Sequence, residues 1–187
     1  MKQLTLNINE DSETKIIASS AFNFSIELVL KIGKNDYENI FDISHDLAEI
    51  FDNHFLLNEN NINKYFNEKT LPFFARYKGK IIGYIIGVPI ENFRSESWAK
   101  YDINLGKNNT LYTYAFVICK KYRKSGGYAK TLKRIYINWA KKQNFKYVTG
   151  HVKQGFSKKF GNKTEIIKIF DNWYHSNLPF EYYRRYL

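Results

Sequence analysis

Cysteine is almost absent from this chain of 187 residues, in which Cys119 is the only one. A single thiol excludes an internal disulfide and a zinc centre built from several thiolates. It also fits a reducing compartment, so we expect a cytoplasmic protein. A nucleophilic cysteine needs an exposed position of low pKa beside a base. Because Cys119 stands at the end of a predicted strand, we do not expect thiol catalysis.

Long apolar runs are also lacking. Met1 and Lys2 lead into polar sequence rather than into the apolar core of a signal peptide. No apolar stretch approaches the ~20 residues that a membrane-spanning helix needs. The length fits one domain, and neither a repeat nor a low-complexity linker divides it. We therefore predict a soluble protein with one domain at 21–187, preceded by a polar tail or an added edge strand at 1–20.

Acidic residues are few compared with basic ones. The chain has 18 Asp and Glu against 29 Lys and Arg, which gives a formal net charge of +11. An excess of this size favours an anionic partner such as a phosphate compound, a nucleic acid, an acidic protein face or a membrane surface. The alternative is that the lysines serve solubility alone, and composition does not separate the two interpretations. No metal cofactor is expected.

Apolar and aromatic residues are abundant enough for a large core, at 44% and 18% of the chain. Alternating and helical apolar spacings predict the order of elements. The predicted elements are a strand at 21–32, helices at 34–51 and 62–66, a hairpin at 71–93 turning at 77–80, a strand at 110–118, a helix ending near Gln143, a strand at 146–152, a helix at 164–176 and a closing strand at 178–187. Gly83 and Gly87 are predicted to mark a bulge or a close backbone approach. The order indicates an α/β protein built around one mixed sheet.

Two adjacent glycines, Gly126 and Gly127, stand at the mouth of the helix that ends near Gln143. The first N–H groups of a helix have no partner within it, and the helix dipole makes that end positive. Glycine lets an anion approach these amides closely, and Arg123, Lys124 and Ser125 add two positive charges and a hydroxyl. The pattern favours a pyrophosphate site and a tight turn with positive φ equally.

Other phosphate motifs fit the sequence less well. No G-x-G-x-x-G occurs, and "GHVKQGFS" carries Phe156 where a triphosphate loop needs lysine. The glycine pair before the helix is therefore the favoured phosphate site.

The stretch "VICKKYRKSGGYAKTL" resembles the signature of the GNAT acyltransferases, [Arg/Gln]-x-x-Gly-x-[Gly/Ala]-x-x-Leu. Lys124, Gly127, Ala129 and Leu132 take the four defined places, with lysine replacing Arg or Gln at the first. Moving the register back by one residue would put the bulky Tyr128 on the small third place. The order of strands and helices over 22–187 also resembles this family.

The resemblance implies a GNAT-like fold, a central mixed sheet with helices on both faces, and acetyl-CoA as co-substrate. Acetyl-CoA would lie between two splayed parallel strands, 111–119 and 147–152. The residues implied to bind it are Phe116, Val117 and Ile118 through their backbone along the pantetheine arm, and Arg123, Lys124, Ser125, Gly126, Gly127, Tyr128 and Ala129 around the pyrophosphate. Lys153, Lys158 and Lys159 would reach the adenosine phosphate, although a solvated loop is the favoured interpretation.

The implied reaction is direct attack of an amine on the thioester, with both reactants held together and no covalent enzyme intermediate. A backbone N–H at the splay would stabilise the oxyanion. A lysine-like amine has a pKa near ~10.4, so a base or a water chain must remove its proton. Glu91 is the first candidate base and His151 the second, with a surface carboxylate and a core histidine as the plainer alternatives.

The resemblance also implies a tyrosine that protonates the leaving thiolate, from a motif Tyr-x-x-x-Gly-Phe before the next strand. Tyr174 in "FDNWYHSNLPF" is the nearest equivalent, although its spacing to Phe180 is one residue longer. Pro179 replaces the glycine, and His175 occupies the usual tyrosine place. Simple packing of Tyr174 is the competing interpretation.

A second hypothesis is a non-catalytic module of the same fold that binds CoA or RNA. Interleaved rings and guanidinium groups can stack on bases and contact phosphates, and such residues cluster at the C-terminus: Tyr182, Tyr183, Arg184, Arg185 and Tyr186. An edge strand explains them equally well, and nucleic acid is the less favoured partner. The acceptor amine, on a small molecule or a protein, is not identified by the sequence, although Trp98, Tyr101 and Asp102 are candidates to line its site. The oligomeric state is not identified either.

Overall fold

Eight strands pair into one mixed sheet in the computed structural model, which describes residues 10–51, 56–124, 126–173 and 178–187. The strands are β1 (Glu13–Ser20), β2 (Phe24–Lys31), β3 (Pro72–Tyr77), β4 (Lys80–Pro89), β5 (Thr110–Ile118), β6 (Tyr147–Lys153), β7 (Thr164–Phe170) and β8 (Phe180–Tyr186). Their order across the sheet is β1-β2-β3-β4-β5-β6-β8-β7. Among these eight strands β5 and β6 pair in parallel, and the other neighbours pair antiparallel.

Helices cover both faces of the sheet, as predicted. They are α1 (Tyr37–Phe51), α2 (Ile62–Tyr65) and α3 (Tyr128–Lys142). Tyr84 and Ile86 of β4 pack in the cluster that contains the apolar stripe of α1, whereas Ile85 packs in the cluster that contains the stripe of α3. Because successive side chains of a strand point to opposite faces, α1 and α3 lie on opposite sides of β4.

The predicted helix at 164–176 is wrong, because Thr164–Phe170 forms strand β7. β7 pairs antiparallel with β8, where Ile166 lies opposite Tyr183 and Phe170 opposite Phe180. Threonine and isoleucine dominate this segment, and their branched side chains suit a strand. The predicted β2, α1, α2, β3–β4 hairpin, β5, α3, β6 and β8 are confirmed.

β8 lies inside the sheet, between β6 and β7. The chain passes from β6 to β7 through residues 154–163, which contain only a 3-10 turn at Ser157–Phe160. The Glu181 carboxylate of β8 accepts hydrogen bonds from the backbone N–H of Gly155, at 3.0 Å, and of Ser157, at 2.5 Å. Burial opposes the charge of Glu181, but the hydrogen bonds from Ser157 and Gly155 hold its pKa below the ordinary value.

The N-terminal edge of the sheet is β1, which pairs with β2. Residues 1–9 lie outside the described residues, and the division at 20 and 21 stays a prediction. Among the helices in the described ranges, none combines the length and the apolar character that a bilayer crossing demands.

Candidate active site

A wedge-shaped gap opens between the two parallel strands. β5 and β6 are in register only at their beginnings, from Thr110 opposite Tyr147 to Tyr112 opposite Thr149. Beyond that pair β5 follows β4 as far as Ile118, while β6 follows β8 as far as Lys153. The two strands therefore part after Tyr112 and Thr149, and we call the gap between them the cleft.

A β-bulge stands where the strands begin to part. Gly87 of β4 lies opposite Thr113, but the adjacent Ile86 lies opposite Ala115, so Tyr114 is an extra residue of β5. An extra residue bends its strand and increases the local twist, which turns β5 away from β6. A Cβ on Gly87 would stand 2.6 Å from the Tyr136 hydroxyl of α3, so only glycine allows this close packing. The predicted close approach at Gly87 is confirmed.

The two glycines before α3 lie at the open end of the cleft. Gly126 and Gly127 both have φ of +63°, so the predicted turn with positive φ is present. Gly127 is the N-cap of α3 and makes no side-chain cap hydrogen bond. A Cβ on Gly127 would meet no atom of the described residues within 4 Å, so the space beside Gly127 at the helix start is open. We call residues 123–129 the glycine turn; its Ser125 lies outside the described residues.

Arg123 is engaged with the protein itself. Its Nε donates to the carbonyl oxygen of Ile118 at 2.7 Å, and its Nη2 lies 3.5 Å from Oδ2 of Asp46 on α1. The backbone N–H of Lys120 donates to the same Oδ2 at 2.7 Å. Arg123 thus ties the end of β5 to α1, whereas Lys124 is exposed at the glycine turn.

The three residues predicted to bind pantetheine, Phe116, Val117 and Ile118, form the part of β5 that borders the open cleft. Their opposite backbone edge pairs with β4, from Gly83 to Ile85. Because β6 has no residue in register with them, their other backbone edge is turned toward the gap. That edge offers the N–H and C=O groups that an extended amide chain would pair with.

His151 lies at the closed end of the cleft, on β6, and is 8% exposed. Its Nδ1 is 2.9 Å from the Tyr112 hydroxyl, and its ring stacks on Trp173 and Tyr182. Its Nε2 is buried without a hydrogen-bond partner among the described residues. Burial lowers the pKa of His151 well below its usual range, so the imidazole is neutral.

Glu91 lies in a 3-10 turn at Ile90–Phe93, directly after β4. Its Oε1 accepts hydrogen bonds from the backbone N–H of Gly106, at 3.2 Å, and of Asn108, at 2.8 Å. Since Pro89 pairs with Leu111, the turn follows the part of β4 that borders the closed end of the cleft rather than the part beside 116–118. Glu91 therefore fastens the 104–108 segment, and its Oε2 is buried without a partner among the described residues.

Tyr174 lies outside the described residues, and the helix predicted to hold it is strand β7 in its first half. The C-terminal residues that suggested RNA stacking are mostly in the core: Tyr182 is 0% exposed, Tyr183 2% and Arg184 7%. The prediction of a stacking surface at these three residues is wrong, as is that of an edge strand. Of the proposed acceptor-lining residues, Trp98 and Asp102 are buried and Tyr101 is exposed.

Lys133 is a residue of the cleft that the sequence analysis did not single out. Its Nζ lies over the Phe116 ring of β5 at 5.7 Å and over the Tyr136 ring of α3 at 5.5 Å. Burial, together with the charge of Arg185, lowers the pKa of Lys133 to about 7. The sequence signal that could have pointed to Lys133 is its position three residues before Tyr136, at the border of the apolar stripe of α3. No cluster of metal-ligating residues is found within the described ranges.

Comparisons with known proteins agree with this geometry. A family model described as "Acetyltransferase (GNAT) family" matches residues 36–159, well over half of the chain. Comparison with curated protein sequences gives no match.

Several solved structures share the fold at low sequence identity. The ribosomal-protein-S18-alanine N-acetyltransferase from Escherichia coli is 13% identical, with a TM-score of 0.61 over 87% of this chain and 93% of that one. A GNAT family acetyltransferase from Elizabethkingia anophelis with acetyl-CoA bound is 15% identical, with a TM-score of 0.55 over 88% and 99%. Arabidopsis thaliana Naa50, in complex with the bisubstrate analogue CoA-Ac-MVNAL, is 16% identical, with a TM-score of 0.59 over 87% and 98%. These likenesses establish the fold.

Proposed function

Because the chain belongs to the GNAT acetyltransferase family, and is an acyltransferase by that membership, we propose that it transfers an acetyl group from acetyl-CoA to an amine in a ternary complex. The observation that supports this most directly is the parting of β5 and β6 at the Tyr114 bulge, with the start of α3, whose N-cap is Gly127, at the open end. One end of the cleft suits phosphate and the other suits a reacting carbonyl.

In this proposal acetyl-CoA spans the cleft from the glycine turn to the bulge. The pyrophosphate accepts hydrogen bonds from the first amides of α3 at Gly127, Tyr128 and Ala129, beside the exposed Lys124. The pantetheine arm pairs with the backbone edge of residues 116–118. The thioester then reaches the bulge, where backbone N–H groups stabilise the oxyanion.

We assign removal of the acceptor proton to His151. It is neutral at pH 7, and in the tautomer whose Nδ1–H donates to the Tyr112 hydroxyl its Nε2 has a lone pair free to accept a proton. Glu91 is the weaker candidate, since two backbone amides already occupy its Oε1. Its proposed contribution is to hold the loop on the acceptor side. Tyr174 stays the residue that the sequence resemblance implies for protonating the leaving thiolate.

The proposed acceptor is a primary amine on a peptide or a small molecule. One structural neighbour is named for a ribosomal-protein alanine, and another contains an analogue joining CoA to a peptide. We therefore expect a screen that follows thiol release from acetyl-CoA to find an acceptor among peptides with free N-termini or small amines. If the protein binds CoA but no acceptor of either group increases thiol release, the result would favour the non-catalytic module.

The first test is calorimetry with CoA on Gly127→Glu. The carboxylate would stand in the open approach to the helix start, so we expect CoA affinity to fall by about tenfold or more, which is about 1.4 kcal/mol or more. Gly79→Glu is the matched control, because Gly79 also has positive φ and an open Cβ position but lies in the β3–β4 turn. Its affinity should equal that of the wild type.

Two outcomes contradict the proposal in different ways. If folded Gly127→Glu binds CoA like the wild type, the pyrophosphate does not bind at the glycine turn. If the wild type itself fails to bind CoA at physiological salt, the proposed function is wrong.

A further inference from the structure

Lys133 is placed to face the middle of the cleft. It is the sixth residue of α3, so its Cα lies about 7.5 Å along the helix from the first residue. α3 returns alongside β5, and the Lys133 ammonium lies between the ring of Phe116 and that of Tyr136. Phe116 is two residues beyond the bulge, and the Tyr136 hydroxyl is 3.4 Å from Oγ1 of Thr113 on the other side of it. The amine is thus held at the level of the bulge rather than at the glycine turn.

The charges around Lys133 are unusual for a lysine that is not fully exposed. No carboxylate in the described parts of the chain forms an ion pair with it, and the charged group that acts on it is Arg185 of β8, a second cation. The titratable hydroxyls on the same side are those of Tyr136 on α3 and Tyr183 on β8. Within the described ranges Arg185 forms no ion pair with a carboxylate either, and two cations in this situation destabilise the empty protein and attract an anion.

We propose that Lys133 is the residue that meets the sulfur of coenzyme A and protonates it as the thioester breaks. The inference rests on the proposed acetyl transfer, which produces an anion at this level of the cleft. The acceptor nitrogen forms a bond to the acetyl carbon, the carbon–sulfur bond breaks with its electron pair on sulfur, and a proton of the Lys133 ammonium passes to that sulfur. The proton that leaves the acceptor amine balances the one that Lys133 gives up.

The aromatic contacts explain how this amine can serve as an acid. The faces of Phe116 and Tyr136 stabilise the ammonium form, while burial and Arg185 favour its loss of a proton. An ammonium balanced in this way transfers a proton to a thiolate readily, since the pKa of an ordinary thiol is ~8.5. A lysine at full exposure would hold its proton more strongly.

The test is the ionisation of the CoA thiol while it is bound, followed by the ultraviolet absorbance of the thiolate. In the wild type we expect a thiol pKa about one unit or more below the free value of ~8.5, because the thiolate and the Lys133 ammonium stabilise each other as an ion pair when CoA is bound. Lys133→Met should return the pKa to the free value and lower kcat by about 100-fold. Lys130→Met, an exposed lysine on the same helix, is the matched control and should change neither quantity.

A CoA analogue without the sulfur atom separates this role from contact with another part of the cofactor. We expect Lys133→Met to leave its affinity unchanged. An equal loss of affinity for the analogue and for CoA would show that Lys133 contacts the phosphates or amides, and would overturn the inference.

Two further outcomes would contradict the role of Lys133 as the acid. An unshifted thiol pKa in the wild type would overturn the inference, and this measurement needs no variant. A shift of the thiol pKa that disappears in Tyr174→Phe and persists in Lys133→Met would overturn it too. In all these cases CoA still binds, so the proposed function stands. Failure of the wild type to bind CoA is the separate result that removes the proposed function.

Discussion

At the scale of single residues, two cations of this protein have opposite surroundings, the buried Arg184 and the partly buried Lys133. Arg184 is buried with complete pairing: its Nη1 lies 3.0 Å from Oδ1 of Asp102, and its Nη2 lies 2.7 Å from Oε1 of Glu165. Asp102 also accepts hydrogen bonds from the Tyr182 hydroxyl and from the backbone N–H of Asn104. Lys133 has no such acidic partner among the residues that the structure describes. Removing one partner of a fully paired buried charge destabilises the folded chain, whereas an unpaired cation is free to pair with a bound anion.

Asp102→Asn tests the pairing of Arg184. The Asp102 side chain is 0% exposed, so its neutralisation leaves Arg184 in the interior without its buried counter-charge. We expect the free energy of unfolding to fall by about 3–5 kcal/mol, measured by urea denaturation. Glu165→Gln is the control on the same guanidinium; because the Glu165 side chain is 57% exposed, it should cost about 1 kcal/mol or less. Equal costs for the two variants would contradict this account.

At the scale of elements, the segment 154–163 is held by a carboxylate rather than by a helix of its own. Glu181 of β8 accepts the N–H groups of Gly155 and Ser157, and this fixes the path from β6 to β7. The segment lies beside the cleft because it begins where β6 ends. The Glu181 carboxylate thus supplements the bond from the Gln154 N–H to the Pro179 carbonyl and the contact of Phe160 with the Tyr183 ring.

Glu181→Gln is expected to loosen this segment. At pH 7 the variant should show faster amide hydrogen exchange at Gly155 and Ser157 and a lower free energy of unfolding, because a neutral amide accepts these bonds less strongly. The pKa of Glu181 is lowered in the folded protein, so its contribution is complete above the ordinary value of 4.5 and disappears as the pH falls through the folded value. The stability difference from the wild type should therefore shrink in acid. A difference that stays constant with pH would contradict the assignment.

Elements with a clear local signal could be predicted from the sequence, and β7 shows why others could not. Ile166, Ile167, Phe170 and Trp173 have spacings of three and four residues, which indicate a helix. The outcome was decided by β8, whose second edge pairs with this segment, and such a distant partner leaves no mark on local spacing.

The candidate site divides in the same way. The glycine turn is local, and its positive φ was predicted from two adjacent glycines. Lys133 could not be assigned to the cleft, because its position depends on how α3 lies against β5 and β8. The burial of Tyr182 and Tyr183 could not be predicted either, because it depends on β7 pairing with the outer edge of β8, the last strand in the sequence.

At the scale of the whole molecule, the net charge of +11 acts on any approaching anion. CoA carries its charge on three phosphates, so long-range attraction should speed its association. We expect the association rate constant, measured by stopped-flow fluorescence, to fall several-fold between low salt and physiological salt, where the Debye length is about 8 Å. Pantetheine, which lacks the phosphates, is the matched control and should show no such dependence. A salt-independent rate for CoA would mean that the positive charge does not speed the association of CoA.

Asp46 gives the two sides of the sheet a common anchor. Its carboxylate lies on α1, accepts a hydrogen bond from the backbone N–H of Lys120 and pairs with the guanidinium of Arg123. Arg123 in turn donates to the carbonyl oxygen of Ile118, the last residue of β5. Any tilt of α1 must therefore pull on the segment that leads into the glycine turn. In the proposed reaction the pyrophosphate binds at the glycine turn, so movement of α1 and binding of CoA at that turn are linked through Asp46.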